Sequence, residues 1–374
     1  MSLVIPTAEN AVMMRSILQR IATGPHLSKD ITREEARLGL RAILQNHVHP
    51  VQAAIFLIAL RMKRETDDEL IGMLDALREV TQTVTAPVDE VVDIADPYDG
   101  CTRSLAPGPF VPAVLAACGV PTMSHGVETM GPKYGITHHK VLRAAGVAVD
   151  TLPDTAAARL GHPDVGWSYL DQAVFCPPLH ALTELRTLIV KRPALTTLEV
   201  VLGPLRGRQK THLVTGYVHK PYPRIYALLA RHAGFDSALL VRGTEGGVIP
   251  SLRQAAPCLA YHDGGEAFAF EADPRAAGIA HTVRDIPLPD HLPRVPRAGD
   301  DLAMVVDVEA AAHATAEAGI AALHNHAGAF RDSLIYAAAL VLLHLRRYDS
   351  LRAAADAARH GIETGEALAR LRAA

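Results

Sequence analysis

Residues 91–124 read VVDIADPYDGCTRSLAPGPFVPAVLAACGVPTMS, and this stretch decides the fold. It opens on a short apolar run, VVDIA at 91–95, which is typical of a buried strand. A helix-like segment, FVPAVLAAC at 110–118, separates this run from a second strand-like run, VPTMS at 120–124. Strands that alternate with helices pair in parallel, so the sequence predicts an α/β domain from about residue 89 onward.

The residues on either side extend this interpretation. Downstream, a helical pattern at 222–233 precedes the strand-like run SALLVRG at 237–243. Upstream, apolar positions recur at helical spacing through most of the first 85 residues, and two capping boxes mark helix starts, at 32–35 and 66–69. The tail from 332 to 371 is again helical in pattern. The predicted segments of the amino-terminal region are Ala11–Ile21, Ala36–Leu44, Val51–Met62 and Leu70–Val80.

Composition excludes several classes of protein. The 374 residues are 49% hydrophobic and carry a formal net charge of -3, which excludes a wholly disordered chain and a uniformly basic nucleic-acid coat. The four cysteines form no CxxC pair, and the first residues lack the order of a signal peptide. The most apolar runs, 51–60 and 334–345, are too short to span a bilayer. We therefore expect a soluble cytoplasmic protein without a membrane partner.

The charge is unevenly distributed along the chain. Residues 171–260 hold 11 basic and 5 acidic side chains, whereas residues 261–374 hold 11 and 16. The densest basic cluster contains Arg206, Arg208 and Lys210, and Lys191 lies a little upstream. Such a cluster is most often a solvated surface. The alternative is a cleft that receives an anion such as phosphate, where cations and backbone amides act together.

Glycine-bearing segments follow three of the strand-like runs. Asp99-Gly100 comes after the first, His125-Gly126 after the second, and residues 243–247, GTEGG, after ALLVR. Ligands of α/β folds bind at the carboxyl ends of strands, where glycine allows the backbone to approach them closely. One such segment is an ordinary turn, but three at successive strand ends predict a composite pocket.

With these motifs in place, the chain resembles the anthranilate phosphoribosyltransferase (TrpD) family over nearly its whole length. The matching segments are VDI, GVP…HG, FCPPLH, VVLGPL, ALLVRGTEGG and RDSLIYAAALVLLHLRRYDS. FCPPL and GTEGG resemble the YbiB-type paralogues more than the tryptophan-pathway enzymes. The resemblance implies a helical domain at 1–88, completed by helices at about 178–194, against an α/β domain at 89–374 with a mainly parallel sheet. It also implies a homodimer formed through the helical domain.

The catalytic machinery that the resemblance would bring is largely missing. The GTGGD phosphate loop of the enzymes falls on Asp96–Gly100, where proline removes an amide donor and Asp96 adds negative charge. The NIST segment falls on residues 106–109, APGP, and KHGNR becomes SHGVE at 124–128. The acidic pair that holds Mg²⁺ aligns with Val248-Ile249. The arginine that holds the anthranilate carboxylate falls on or near Val190, with Arg186 and Lys191 as imperfect substitutes. We expect anthranilate phosphoribosyltransferase activity to be absent or very weak, and Mg²⁺ to matter only if phosphoribosyl diphosphate is bound.

Three functions remain open for such a diverged chain. The first is binding of a phosphate-bearing small molecule or of nucleic acid in a basic cleft between the domains. The YbiB-type paralogues are associated with nucleic-acid binding, and the basic stretch 171–260 gives this hypothesis a physical basis because phosphate neutralisation dominates such affinity. A second hypothesis is a glycosyl or phosphoribosyl transferase, or a phosphorylase, with another acceptor and a rearranged site. A third is a dimeric scaffold with a vestigial pocket. The basic residues of the rearranged site would be Lys133, Arg186, Lys191, Arg206, Arg208 and Lys210.

The candidate ligand-binding set combines these basic residues with the strand-end segments, and no residue is assigned a catalytic role. No resident metal or cofactor is expected. His138-His139 and the pair His324 and His326 are interpreted as surface or capping histidines, because no third ligand is fixed near them. Glu245 is interpreted either as a ligand for a ribose hydroxyl or a metal, or as a cap for neighbouring amides. The strand-end members of the set are Asp99, Gly100, His125, Gly126, Gly243, Thr244, Glu245 and Gly246.

Overall fold

A computed structural model describes residues 8–24, 26–297 and 300–374; the first seven residues of the predicted helical domain lie outside this part of the chain. Four helices open it, and each buries an apolar face; the buried side chains include Met14, Phe56 and Leu74. Both predicted capping boxes are formed, with Thr32 accepting from the Glu35 amide and Thr66 from the Glu69 amide. The helices are α1 (Ala8–Ile21), α2 (Arg33–Leu44), α3 (Pro50–Lys63) and α4 (Asp67–Val80).

The α/β domain with a mainly parallel sheet is confirmed, and that sheet has seven strands. Its strand order is β4-β3-β2-β6-β7-β8-β9; the first five strands are parallel and the last two are antiparallel to their neighbours. β1 pairs with β5, and β10 with β11. The strands are β1 (Val84–Thr85), β2 (Glu90–Ala95), β3 (Thr122–Gly126), β4 (Trp167–Asp171), β5 (Leu205–Arg206), β6 (Lys210–Gly216), β7 (Ser237–Val241), β8 (Ala256–Tyr261), β9 (Phe268–Ala272), β10 (Arg294–Arg297) and β11 (Asp300–Val306).

Helices cover both faces of the parallel part of this sheet, which is why the parallel strands are buried on both sides, whereas most of β9 is exposed. On one face a core containing Phe110, Leu334 and Ile335 packs against the carboxyl-terminal helices. The helices of this domain are α5 (Val111–Ala117), α6 (His138–Ala144), α7 (Pro153–Gly161), α8 (Gln172–Phe175), α9 (Pro177–His180), α10 (Thr183–Ile189), α11 (Leu195–Leu198), α12 (Tyr222–His232), α13 (Val308–Leu323), α14 (Ala329–His344), α15 (Leu351–Glu363) and α16 (Glu366–Arg372). The helical tail is thus broken twice, before residues 351 and 366.

The other face of the sheet is continuous with the helical region. A second core runs from Met14 and Phe56 to Leu213 of β6 and Leu240 of β7. Leu185 and Ile189 of α10 pack against that core, and α10 lies on α3. The division into a helical domain at 1–88, completed by helices at about 178–194, and an α/β domain at 89–374 stays a prediction. Within the described residues, none of the helices has the length and apolarity needed to cross a membrane.

Candidate functional site

A cleft of about 320 Å³ opens where the carboxyl ends of the parallel strands meet the helical region. Loops after β2, β6 and β7 form its floor, and α3, α11 and α12 supply the walls. Side chains of both charges line it together with tyrosines. The lining residues are Arg61, Glu65, Leu70, Pro97, Asp99, Arg103, Lys133, Arg192, Pro193, Ala194, Thr196, Thr197, Gly216, Tyr217, Val218, His219, Tyr222, Ile225, Tyr226, Glu245 and Gly246.

The loop after β2 is fixed by a tight turn. The Gly100 amide donates to the carbonyl of Pro97 at 3.0 Å. Gly100 has a φ of 71°, and a Cβ there would lie 2.5 Å from the carbonyl oxygen of Ile136. Glycine is therefore required at this position both by the left-handed backbone and by the neighbouring chain. The turn holds Asp99 in the cleft, with only 1% of its side chain exposed.

Asp99 is the anionic centre of the cleft. Arg192 donates to it through Nε at 3.0 Å and through Nη2. The Nζ of Lys133 lies 3.6 Å from the other carboxylate oxygen and donates to the Gly100 carbonyl at 2.8 Å. The structure thus brings together Asp99, Gly100 and Lys133 of the predicted set, and adds Arg192, which the sequence analysis did not select.

Glu245 fastens two loops together. It has a φ of 49°, a conformation that costs energy in a residue other than glycine. Its carboxylate accepts from the amides of Thr102 and Arg103, at 3.1 and 2.8 Å, and from the hydroxyls of Thr102 and Ser104. Burial alone would raise the pKa of Glu245, but these amides and the charges of Lys133 and Arg103 lower it. The capping role proposed for Glu245 is the one its geometry supports.

Asp96 occupies the start of the same loop. Its Oδ1 accepts from the Val248 amide at 2.7 Å, and its Oδ2 lies 2.9 Å from Nε2 of His138. Gly108, just before α5, approaches so closely that a Cβ would collide with Asp96 Oδ2. The Asp96 carboxylate therefore binds the Val248 amide and contacts the His138 ring at the carboxyl end of β2.

The GTEGG segment shapes the edge of the cleft through its backbone. Gly246 lines the cleft, whereas Thr244 is buried and its amide donates to the carbonyl of Ile249 at 2.8 Å. A Cβ at Gly243 would collide with the carbonyl oxygen of Gly247. Val248 and Ile249, which align with the acidic metal-binding pair of the enzymes, are buried apolar residues.

His125 and Gly126 lie beneath the cleft rather than in its wall. The ring of His125 is 1% exposed, with Nε2 3.0 Å from Asp93 Oδ1 and Nδ1 in contact with the Tyr98 hydroxyl. Gly126 is buried next to the hydroxyl of Tyr169. This arrangement gives His125 a structural role in holding the strand ends.

Two further basic residues of the predicted set lie elsewhere. Arg186 is buried in a bidentate pair with Glu199, with N–O distances of 2.7 and 2.8 Å. Its guanidinium is thus committed to a protein carboxylate. Lys191 is exposed beside Arg192 but does not line the cleft.

The densest basic cluster lies near the amino ends of the parallel strands, whereas the cleft lies at their carboxyl ends. Lys210 pairs in register with Glu90 at the amino ends of β6 and β2, and its Nζ lies 2.8 Å from Asp263. Arg206 stacks on Phe235, 4.3 Å from the ring centroid, and donates to the carbonyl of Gly203. Only Arg208 is exposed without such an ion pair among the described residues. The expectation that this cluster lines the cleft together with Lys133 is wrong. Lys210 begins β6, and Gly216 at the other end of that strand lines the cleft, so the length of β6 separates the two positions.

The sequence analysis missed the aromatic side of the cleft. This side, here called the tyrosine wall, consists of His219 in the loop after β6 and of Tyr222 and Tyr226 in α12. Their successive ring centroids are 6.3 and 6.1 Å apart. Tyr222 and Tyr226 are spaced i, i+4, which places them on one helix face. That spacing, at the carboxyl end of a strand, was the available signal. Arg61 and Glu65, at the end of α3, carried none that sets them apart from surface charges.

The cleft has a mixed charge and offers no cluster for a metal. Four cations, Arg61, Arg103, Lys133 and Arg192, face three carboxylates, Glu65, Asp99 and Glu245. Over the described residues, no group of three histidine, cysteine, aspartate or glutamate side chains could hold a metal ion.

The prediction of surface positions is wrong for His138 and His139 and holds for His324 and His326. His138 and His139 are buried against the carboxylates of Asp96 and Asp171, since α6 turns its first residues inward. His324 and His326 are exposed as expected.

Comparison with known proteins gives a consistent picture. The helical bundle domain of the glycosyl transferase family matches residues 15–81. Anthranilate phosphoribosyltransferase of Rhodopseudomonas palustris (strain BisA53) is 28% identical over 366 residues, 96% of each chain. The anthranilate phosphoribosyltransferase (TrpD) of Thermus thermophilus superimposes with a TM-score of 0.70 at 20% identity, covering 96% of this chain and 97% of that one. The Saccharomyces cerevisiae enzyme in complex with PRPP and Mg superimposes with a TM-score of 0.75 at 14% identity, covering 96% of each chain.

Proposed function

The chain belongs to the TrpD-like members of glycosyltransferase family 3, and from this premise we propose that it binds a small phosphate-bearing ligand of nucleotide type in the cleft. We propose in addition that it does not transfer a phosphoribosyl group to anthranilate. The observation that carries the first part is the cleft itself, in which cations and the tyrosine wall surround one space.

The guanidinium groups of Arg61 and Arg103 support a phosphate ligand. Each lies beside a carboxylate, Arg61 3.8 Å from Glu65 and Arg103 3.9 Å from Glu245, which is beyond hydrogen-bond distance. Among the described residues, neither guanidinium donates a hydrogen bond, and the Arg103 side chain is 81% exposed. Arginine presents its donors in a fork that matches phosphate oxygens.

The tyrosine wall supports a ligand that carries a ring. Tyr222 is half-buried and Tyr226 is buried, with Ile225 between them also lining the cleft. Aromatic side chains provide a face for a nucleobase or similar ring, and base–aromatic stacking contributes roughly 1–3 kcal/mol. A phosphate group near the arginines and a ring against the tyrosines describe a nucleotide.

The loss of the anthranilate reaction rests on the loop after β2 and on the missing metal ligands. Asp96 places a carboxylate among the donors at this strand end, and Pro97 has no amide to offer. Val248 and Ile249 cannot bind Mg²⁺, and the carboxylate of Glu245 is already occupied by four donors. The residues present therefore do not fit PRPP and Mg, the ligands of the Saccharomyces cerevisiae enzyme.

Calorimetry tests both parts of the proposal. Purified protein is titrated with AMP, ribose 5-phosphate and phosphoribosyl diphosphate, each with and without Mg²⁺. We expect heat from AMP, little dependence on Mg²⁺, and no phosphoribosyl anthranilate when anthranilate and phosphoribosyl diphosphate are supplied together. Absence of heat from every ligand would reject the first part, and product formation would reject the second.

Nucleic acid is the alternative source of the same phosphate chemistry, and mobility shifts with single- and double-stranded DNA at several salt concentrations distinguish it. Two double variants separate the two sites. R61Q/R103Q removes two cations from the cleft, and R208Q/K210Q removes two from the amino ends of the strands. We expect R61Q/R103Q to lose AMP binding and R208Q/K210Q to keep it. Loss of DNA binding in R208Q/K210Q would instead identify the basic cluster at the amino ends of the strands as a nucleic-acid surface.

A homodimer through the helical domain remains part of this proposal. Val51, Ile55 and Met62 of α3 are exposed and recur at i, i+4 and i+11, so they share one stripe of the helix. Val12 of α1, which packs beside α3, is 71% exposed. An exposed apolar stripe of this kind is typical of a subunit interface.

A further inference from the structure

Glu65 is a buried carboxylate without a hydrogen bond from another described residue. It follows Arg64, whose φ of 69° ends α3, and only 7% of its side chain is exposed. Its Oε1 is buried without a partner, and the cation nearest to its Oε2, Arg61, lies 3.8 Å away. Burial raises the pKa of Glu65.

The neighbouring Glu69 is a buried carboxylate whose hydrogen bonds are all supplied by the protein. Glu69 is also buried, yet it accepts from the amides of Ile31 and Thr66, at 2.9 and 2.8 Å, and from Lys63 at 2.7 Å. Buried carboxylates in folded proteins are normally satisfied in this way. Glu65 lines the cleft and Glu69 does not, so the missing donors of Glu65 are to be sought in the cleft.

We propose that Glu65 is a specificity-determining residue that accepts hydrogen bonds from an amino group on the ring of the ligand. This inference rests on the proposed binding of a nucleotide-like ligand. The carboxylate lies in the wall that the helical region contributes, together with Leu70 and Arg61, while the tyrosine wall and Arg103 complete the cleft. A carboxylate has no donor when ionised, so it favours a ring amino group and disfavours a carbonyl at the same position.

Matched nucleotide pairs test this inference. GMP and IMP differ by one amino group, and CMP carries an amino group where UMP carries a carbonyl. In calorimetry we expect the amino member of at least one pair to bind the wild-type protein about ten-fold more tightly, as for a hydrogen bond to a charged group. In E65Q, whose amide both donates and accepts, the preference should fall to about two-fold or less.

The controls separate recognition from structure. Glu184 of α10 is exposed and lies outside the cleft, so E184Q makes the same chemical change and should keep the wild-type preference. E65Q should melt at the same temperature as the wild-type protein or higher, because it removes an unpaired buried charge; a structural Glu65 would give a lower melting temperature. Equal affinity within both pairs would overturn this inference alone, whereas no binding of any nucleotide would reject the proposed function as well.

Discussion

At the scale of single residues, Asp99 behaves as an internal competitor for any anion that enters the cleft. It holds Arg192 through two donors and lies 3.6 Å from Lys133. A phosphate bound by Arg61 and Arg103 in the same cleft would be repelled by the Asp99 carboxylate and would compete with it for Arg192 and Lys133, which lowers its affinity. The side chain that orders the site thus opposes its occupation by phosphate.

This competition predicts the effect of one substitution. D99N keeps the shape of the side chain but removes its charge, so affinity for AMP and ribose 5-phosphate should rise about ten-fold, equivalent to roughly 1.4 kcal/mol. Calorimetry measures the change. D263N, which removes a carboxylate from the exposed pair with Lys210 at the other edge of the sheet, is the matched control. An unchanged or weaker affinity in D99N would contradict the prediction.

Charge counting along the chain could not locate the site. Arg206 and Lys210 belong to the densest basic cluster, but Lys210 begins β6 at the amino end of the parallel strands, and Arg206 lies in the separate β1–β5 pair, stacked on Phe235. Arg186 pairs with Glu199, thirteen residues away in sequence. By contrast, Asp99, Lys133 and Glu245 were predicted from loops at strand ends or as part of a rearranged site, and the structure brings them together. Position relative to a strand is therefore the more informative signal, because strand ends converge and charge runs need not.

At the scale of elements, the helix starts were the most predictable feature. Thr32 with Glu35 and Thr66 with Glu69 form the expected capping boxes, since the bonds involved are local in sequence. The burial of His138 and His139 was not predictable in the same way. It depends on Asp96 and Asp171, which only the folded sheet brings near α6.

The capping box of α4 gives a stability prediction. T66A removes the acceptor for the Glu69 amide, at 3.2 Å, and should lower the free energy of unfolding by about 1 kcal/mol. Urea denaturation followed by far-UV circular dichroism measures it. T66S retains the hydroxyl and should stay within a few tenths of a kcal/mol of the wild-type protein; an equal loss in T66S would show that the methyl group, not the cap, is responsible.

The amino ends of β6 and β7 hold a buried histidine cluster. His212 and His344 both bond to the Ser237 hydroxyl, at 2.8 and 2.9 Å, and His344 stacks on His262. Burial lowers the pKa of His212 to about 4 and that of His344 to about 3. The unfolded chain, with histidine pKa values near 6.5, therefore binds protons that the native protein does not as the pH falls below about that value.

This difference predicts acid sensitivity. Stability from the cluster should be fully present above about pH 6.5 and decline progressively toward about pH 4. H344Q removes one titrating group, so the drop in unfolding free energy between about pH 7.5 and pH 5 should be smaller than in the wild-type protein. Urea denaturation at both pH values measures it, with H326Q, an exposed histidine change, as the control. Equal drops in H344Q and wild type would contradict the assignment.

At the scale of the whole molecule, the overall architecture followed from alternating strand and helix patterns and from the family resemblance. The site did not follow as fully, because Arg61 and Glu65 come from the end of α3, which is distant in sequence from the strand-end loops. Contacts between such elements are set by packing of the whole chain. The helical region thus contributes side chains to the cleft and is also the proposed site of subunit contact.

Subunit contact makes its own prediction. The double variant V51E/I55E places two charges in the exposed stripe of α3 and should convert a dimer to a monomer in size-exclusion chromatography with light scattering, since an unpaired charge buried in an interface is costly. L152E changes an equally exposed residue of the α/β domain and should leave the mass unchanged. A monomeric wild-type protein would reject the proposed dimer.

Asp96 has a consequence for the resting state of the whole chain. Its Oδ1 accepts from the Val248 amide and its Oδ2 contacts the ring of His138, so one carboxylate joins three segments of the chain. The position of the loop after β2 is therefore set by contacts within the chain itself.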